Sequence, residues 1–286
     1  MSFAVTVGIC VKNGSNSILK TLWSVMAQTF PHDQIEVIVV DDGSKDNTLL
    51  KVRGFALKMD LQVKILHFKW QGIGQSRNVV ARNAEGKYIA WVDSDMVLPD
   101  NFIQEQYHFM ENNPKVGVAK AVYGIIPEAN LVASLENMSF VAENSRYECG
   151  TGGSIYRTEA LRQVGNFDER LRFAGEDHDA AFKISAAGWL LRRSPAVFYE
   201  YPRTTWRNLW TKYFHWGYGL HDACQKNQNL LVLYEMTPLA GFVGGLRRAS
   251  IAYKLTHKKR IFLLPLQFVF KLNAWCLGYL KGYFKL

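Results

Sequence analysis

Acidic residues stand at three places where chemistry would need them. The apolar run Ile35–Val40 ends in Asp41-Asp42-Gly43-Ser44, and the run Tyr88–Val92 ends in Asp93-Ser94-Asp95. A third group, Gly175-Glu176-Asp177-His178-Asp179, opens a helical pattern. Alternate residues of an extended chain point the same way, so Asp93 and Asp95 can share one direction. Two hard carboxylate oxygens in a cleft suit Mg²⁺ or Mn²⁺, with phosphates completing the shell. Read otherwise, a DxD string is a solvated loop. Asp42 can reach a base or ribose edge from its strand end, yet the same residues also read as an Asp-Gly turn with Ser44 or Asp46 capping the next helix. The macrodipole favours acidic residues at a helix start, so Asp177 reads either as that or as a general base that deprotonates an attacking hydroxyl.

Between the first two groups lies Gln71-Gly72-Ile73-Gly74-Gln75-Ser76-Arg77-Asn78. A glycine loop at a helix N-terminus offers backbone N–H groups to a phosphate, and Arg77 can add a guanidinium fork. As a dinucleotide fingerprint it fails: it follows the third strand rather than the first, and Arg77 stands where the third glycine belongs. A nicotinamide-dependent oxidoreductase is disfavoured on that ground.

The elements that must position these groups alternate. Strand patterns at Ala4–Val11, Ile35–Val40, Val63–Phe68, Tyr88–Val92 and Val116–Val122 are separated by helical ones at Ile18–Gln28, Asn47–Met59, Gln75–Asn83 and Asn101–Glu111. Such alternation predicts an α/β fold with a Rossmann-like, mostly parallel central sheet and helices on both faces. Ligands of such sheets collect at the C-terminal strand ends, where the motifs fall. Helices are expected at Leu131–Asn144, from Glu176, and over the aromatic-rich Thr204–Cys224.

A chain of 286 residues with 48% hydrophobic residues can bury a sizeable core. Four scattered cysteines (Cys10, Cys149, Cys224, Cys276) argue against a disulfide framework or zinc site. Charge separates the tail from the rest. Nine basic and no acidic residues follow Glu235, so the whole net charge of +9 lies in the last 51 residues. That tail is also the most apolar part, which suits anionic lipid headgroups better than nucleic acid. Leu239, Phe242, Val243, Leu246 and Tyr253 fall at helical spacing, and Ile261–Phe284 is apolar but interrupted by Pro265, Gln267, Lys271 and Asn273. An interfacial helix, a re-entrant or spanning hairpin, and a helical pair packed on the catalytic part all fit. The expected division is a catalytic domain at 1–235 (nucleotide part about 1–125, acceptor part about 126–235) and a helical membrane-associated segment at 236–286. With no basic, apolar leader at Met1–Cys10, the catalytic domain is expected on the cytoplasmic side of the membrane.

Taken in order, the strings resemble the family-2 glycosyltransferases of GT-A fold, over roughly residues 4 to 220. The resemblance runs through Val7–Asn13, Gln28-Thr29-Phe30, Val39–Ser44, Asp46-Asn47-Thr48, Gly72–Asn78, Asp93-Ser94-Asp95, Gly150–Arg157, Gly165–Glu169 and Gly175-Glu176-Asp177. It implies an inverting, Mn²⁺- or Mg²⁺-dependent hexosyltransferase using a nucleotide diphosphate sugar. Asp42 would contact the base, with Val11 lining the same pocket, and Arg77 would face the donor. Asp93 would lie near ribose and metal, Asp95 would ligate the metal, and Gly152 and Gly153 would sit beside the transferred sugar. Asp177 would be the catalytic base, with Glu176 and Trp216 on the acceptor side. General similarity to dolichol-phosphate-sugar and cellulose-synthase-like membrane transferases points to GDP-mannose ahead of UDP-glucose, and to a lipid-linked or polyprenyl-phosphate acceptor.

Two departures stand out. Processive members carry Gln-x-x-Arg-Trp, whereas this chain reads Lys212-Tyr213-Phe214-His215-Trp216, which disfavours a processive polysaccharide synthase. A histidine found in many relatives after the next strand is absent from Val197-Phe198-Tyr199-Glu200, leaving Tyr199, Glu200, His215 and His221 as candidates for a third metal ligand. A non-catalytic nucleotide-sugar binder on the same fold is the other alternative; it would have no need of Asp177.

Overall fold

A computed structural model describes residues 3–126, 130–145, 150–202, 204–226 and 237–284. Cys149 and the boundary expected at 235/236 lie outside the described residues, as does the side chain of Cys224. The chain forms two compact units: Met1–Val122 with Glu148–Arg172 and Glu176–Glu200, and Tyr123–Tyr147 with Phe173–Gly175 and Tyr201–Leu286.

The first unit begins with β1 (Val5–Val11), α1 (Ile18–Met26), β2 (Ile35–Asp42), α2 (Thr48–Ala56), β3 (Gln62–Phe68), α3 (Ile73–Asn83) and β4 (Tyr88–Trp91). Strands β3, β2, β1 and β4 lie side by side and parallel, as the helical crossovers between them require. β2 is buried along its whole length, and its one charge before the strand end, Glu36, is met by Thr6 Oγ1 and the Glu85 N–H, each at 2.6 Å, and by Lys64 at 3.1 Å; β3 is the partly exposed edge. Residues 38, 40, 80, 89 and 91 pack with Tyr156 and Phe167 in one apolar core.

Beyond β4 the sheet changes sense. The chain continues with β5 (Met96–Val97), α4 (Phe102–Asn112) and β6 (Val116–Tyr123), then, further on, β7 (Ser154–Arg157), α6 (Thr158–Gln163), α7 (Glu176–Ala186) and β8 (Leu190–Glu200). β7 runs antiparallel to both β4 and β6, and β5 antiparallel to β8, giving the order β3-β2-β1-β4-β7-β6-β8-β5. The parallel half is the one expected from the sequence. The mixed half is not, because β5 and β7 are two and four residues long and too short for a periodicity.

The second unit holds α5 (Leu131–Val141), α8 (Trp206–Lys226), α9 (Pro238–Thr256) and α10 (Leu264–Phe284). Thr237 caps α9 by accepting the Ala240 N–H at 3.2 Å, with Pro238 following in the first turn. Leu135, Met138 and Val141 of α5 pack against Ala249, Ala252, Ile261 and Leu264. Pro265, read from the sequence as an interruption, lies in the first turn of α10, where its missing N–H costs no helical bond. Gln267 and Lys271 do not break the helix either, because they face the interior of this unit. The Lys271 ammonium meets Glu136 at 2.5 Å and Ser139 Oγ at 3.1 Å, and Gln267 donates to the Val132 carbonyl at 3.2 Å. The outer face of α10 is the apolar one: Leu266 is 61% exposed and Leu277 50%.

Candidate active site

The C-terminal ends of β1, β2, β3 and β4 meet at one edge of the sheet, with Val11 level with Asp41 and Asp42 level with Phe68. The loops leaving them are stitched together. Asn13 N–H donates to Ser44 Oγ at 2.8 Å, and Lys45 N–H returns to Asn13 Oδ1 at 2.8 Å. Asp46 accepts from the Thr48 N–H at 3.1 Å and from Ser15 N–H at 3.2 Å, which ties the start of α2 to the β1 loop. Asp42 is buried, and its two oxygens accept the N–H groups of Gln71 at 2.7 Å and Gly72 at 3.0 Å. The carboxylate expected to meet a base therefore also shapes the glycine loop.

From that loop α3 carries Arg77 inward. Arg77 is 7% exposed, and its guanidinium pairs with Glu176 at the start of α7 and stands 3.8 Å from Asp93. Asn78, the next residue, is bonded both ways to Phe167, with each contact at 2.9 Å. The sequence motifs around Asn78 and Phe167 are thus two halves of one contact.

Asp93 follows β4, but the chain does not run on extended. Met96 N–H donates to the Asp93 carbonyl at 3.0 Å, so Ser94 and Asp95 occupy a turn. A turn, rather than strand alternation, sets the directions of Asp93 and Asp95. Burial raises the proton affinity of Asp93, Arg77 and Lys120 oppose this, and the charges of Glu200 and Asp177 add to it.

Asp177 is tuned the opposite way. Burial would raise its pKa, but His178, Arg77 and the backbone N–H groups of His178 and Thr151 together hold it below the usual aspartate value. Those N–H groups reach it at 2.9 Å and 3.3 Å. At neutral pH it is a carboxylate. The two aspartates flank one short loop: Thr151 donates to Asp177, and a Cβ built on Gly152 would come within 2.5 Å of Asp93 Oδ2. Gly153 has φ +69° and lies against the Phe198 ring, where a side chain has neither the backbone conformation nor the room.

Of the third-ligand candidates, Glu200 and Tyr199 pair with Met96 and Val97 through the β5–β8 ladder, and the Glu200 charge is felt at Asp93. His215, His221 and Trp216 belong to the second unit, where His221 is buried against the rings of Tyr279 and Tyr283. The Trp216 ring lies 5.0 Å from that of Tyr213, tilted by 57°, and under the Lys212 ammonium at 4.8 Å. Among the described residues no three His, Cys, Asp or Glu side chains enclose a metal-sized space. The hard carboxylate oxygens of Asp93 and Asp95, carried on one turn, are the donor type that suits an open site in which a ligand's own oxygens complete the shell. Glu176 faces Arg77 in a buried pair, a partner that sequence reasoning did not supply. Lys120 was likewise missed. It is buried on β6 against the Gly150–Gly152 carbonyls.

A Rossmann-like half-sheet continued by antiparallel strands, with an acidic turn at the junction, defines the GT-A class of fold. Solved structures share it. The mannosyltransferase PcManGT from Pyrobaculum calidifontis, in complex with GDP-Man and Mn²⁺, superposes with a TM-score of 0.69 at 19% identity, covering 98% of this chain and 87% of that one. Staphylococcus aureus TarS residues 1–349 give 0.56 at 20% identity, covering 99% and 92%. The chain belongs to glycosyl transferase family 2, whose model matches residues 6–173. It is 34% identical over 191 residues to the poly(ribitol-phosphate) beta-N-acetylglucosaminyltransferase TarS of Staphylococcus aureus, and 32% identical over 190 residues to an uncharacterized glycosyltransferase of Rickettsia bellii. Each match covers 65% of this chain, but only 32% and 27% of those relatives' own lengths.

Proposed function

We propose that this chain is an inverting, divalent-metal-dependent hexosyltransferase that uses a nucleotide diphosphate sugar and works at a membrane surface. The observation that carries it is the pair of aspartates on either side of the Gly150–Gly152 loop: Asp177 accepts the Thr151 N–H at 3.3 Å, and the Gly152 backbone lies against the Asp93 carboxylate.

In this reading the ends of β1, β2 and β3 receive the nucleotide, with Val11 and Asp42 at the base and Arg77 behind the diphosphate. Asp95 and Asp93 would hold Mn²⁺ or Mg²⁺, which would supply positive charge against the leaving diphosphate. The backbone of Gly152 and Gly153 would lie beside the sugar. Asp177 takes the proton of the acceptor hydroxyl as that oxygen bonds to the anomeric carbon from the face opposite the diphosphate. The bond from the anomeric carbon to the diphosphate oxygen breaks, and the nucleotide departs with the electron pair. The acceptor is assigned to the start of α7, where Glu176 precedes Asp177.

PcManGT in complex with GDP-Man supports GDP-mannose as the first donor to test. The sequence identity to TarS supports UDP-N-acetylglucosamine as the second. Membrane association, with the catalytic unit on the cytoplasmic side and a lipid-linked or polyprenyl-phosphate acceptor, rests on the second unit. Among the described residues one stretch, Lys259–Phe284, is long and apolar enough to cross a bilayer. Yet α10 keeps Lys271 and Gln267 inside and Leu266, Leu277 and Leu280 outside, while α9 exposes Leu239, Val243 and Leu246 beside the basic Arg247. That inside-out distribution fits helices lying in the headgroup region.

Thermal melts with GDP-mannose, UDP-glucose and UDP-N-acetylglucosamine, with and without Mn²⁺, test the donor; a ligand at 100 times its Kd adds about 2.7 kcal/mol. Asp177→Asn should keep that stabilisation and abolish sugar transfer. Wild-type turnover in Asp177→Asn would defeat the assignment of the base, and stabilisation by no donor would defeat the whole reading.

A further inference from the structure

Lys120 lies within β6, opposite Ser154 of β7, and is 2% exposed. A buried ammonium is costly unless every proton finds an acceptor. Here it donates to the Gly152 carbonyl, lies 3.4 Å from the Gly150 carbonyl, and stands 5.3 Å from the centre of the Phe198 ring. Two carbonyls two residues apart converge on one cation, so the loop curls round the ammonium much as a chain curls round a metal ion.

The curl is reinforced from β7, where Ser154 Oγ donates to the Gly150 carbonyl at 2.6 Å and Ser154 N–H to the Thr151 carbonyl at 2.8 Å. Its consequence falls on the residue in the middle. With the flanking carbonyls turned to Lys120, the Thr151 N–H is directed to Asp177 Oδ2 at 3.3 Å. The same curl brings the Gly152 backbone against the Asp93 carboxylate.

We propose that Lys120 is a positioning residue of the transfer reaction, whose ammonium holds the Gly150–Gly152 loop in the one shape that serves Asp177 and Asp93 together. The proposal rests on the glycosyltransferase reading above and adds to it a residue that touches neither the nucleotide nor the acceptor. Methionine in place of Lys120 fills much the same volume but donates nothing, leaving two buried carbonyls facing each other. Arginine restores both charge and donors. Glutamine restores a donor without the charge.

The experiment compares the wild-type chain with Lys120→Met, Lys120→Gln and Lys120→Arg, measuring binding of GDP and of UDP with Mn²⁺ by calorimetry, and turnover of the better donor. Lys120→Met and Lys120→Gln are expected to weaken nucleotide binding about tenfold and to lower kcat by at least about tenfold, with Lys120→Arg within about threefold of wild type. A merely space-filling role predicts a lower melting temperature with unchanged affinity and kcat in the folded fraction. Lys120→Met that binds and turns over within about twofold of wild type overturns the proposal. If Lys120→Met does not fold, equal affinity and kcat in Lys120→Gln and Lys120→Arg overturn it. A wild-type chain that binds neither nucleotide defeats the donor reading itself, and the proposal with it.

Discussion

Removing Arg77 should cost the first unit more than any surface charge could, because of what it leaves behind. Glu176 is 2% exposed and Arg77 7%, and they form a direct ion pair. Arg77→Met keeps the bulk and removes the guanidinium, stranding a carboxylate that water cannot reach. Breaking one side of a buried pair costs about 3–5 kcal/mol, whereas replacing both partners together is often close to neutral. The first unit holds about 170 residues and unfolds with about 2.1 cal/mol/K per residue, so the loss corresponds to a fall in Tm of about 8–14 °C. Glu176→Gln should cost less, since Asp93 at 3.8 Å remains to balance Arg77. The double variant Arg77→Met/Glu176→Gln should be more stable than Arg77→Met alone, with a coupling of about 2–3 kcal/mol in the cycle. Urea and thermal unfolding of the four proteins, followed by intrinsic fluorescence, measure this. Single losses below about 1 kcal/mol that simply add would refute the reasoning, because the pair would then have to be solvated.

At the N-terminal end of β2, burial lowers the His32 pKa, but the Asp60 carboxylate at 2.9 Å and the Gln28 carbonyl at 2.9 Å outweigh it, and the net shift is upward. The stabilisation is therefore fully present below about pH 6.5 and is lost as the pH rises through the folded-state value. Asp60→Asn should lower the His32 midpoint in an NMR titration; an unchanged midpoint would show that Asp60 is not its partner. On the exposed apolar face of α10, the proposed membrane contact, Leu266→Glu with Leu277→Glu should weaken flotation with anionic vesicles at least about tenfold, since each leucine buried in lipid would contribute roughly 1.5–3 kcal/mol. Undiminished flotation would move the membrane contact away from α10.

Much of the parallel half of the sheet was legible beforehand because its physics is local. Strands buried on both faces are mostly apolar, so Ile35–Val40 announces itself despite Glu36, and the acidic residues that end the strand fall at the C-terminal edge of the sheet by topology alone. The helices α1, α3 and α4 lie within a few residues of their predicted limits. β5 and β7, only two and four residues long, were not legible because they exist through their partners rather than through any pattern of their own.

The sequence by itself determined the fold class, the parallel half of the sheet and the acidic groups that cluster at its edge. Tertiary structure alone decided which charge meets which. Arg77 finds Glu176 across ninety-nine positions of chain, Lys120 the carbonyls of Gly150 and Gly152, and Lys271 Glu136. It also turned Gln267 and Lys271 of α10 inward and Leu266, Leu277 and Leu280 outward, while Asn273 stays on the surface. The physical reason is the same in each case. A buried charge is tolerated only beside its counter-charge, and partners brought together by folding carry no periodicity along the chain that would reveal them beforehand.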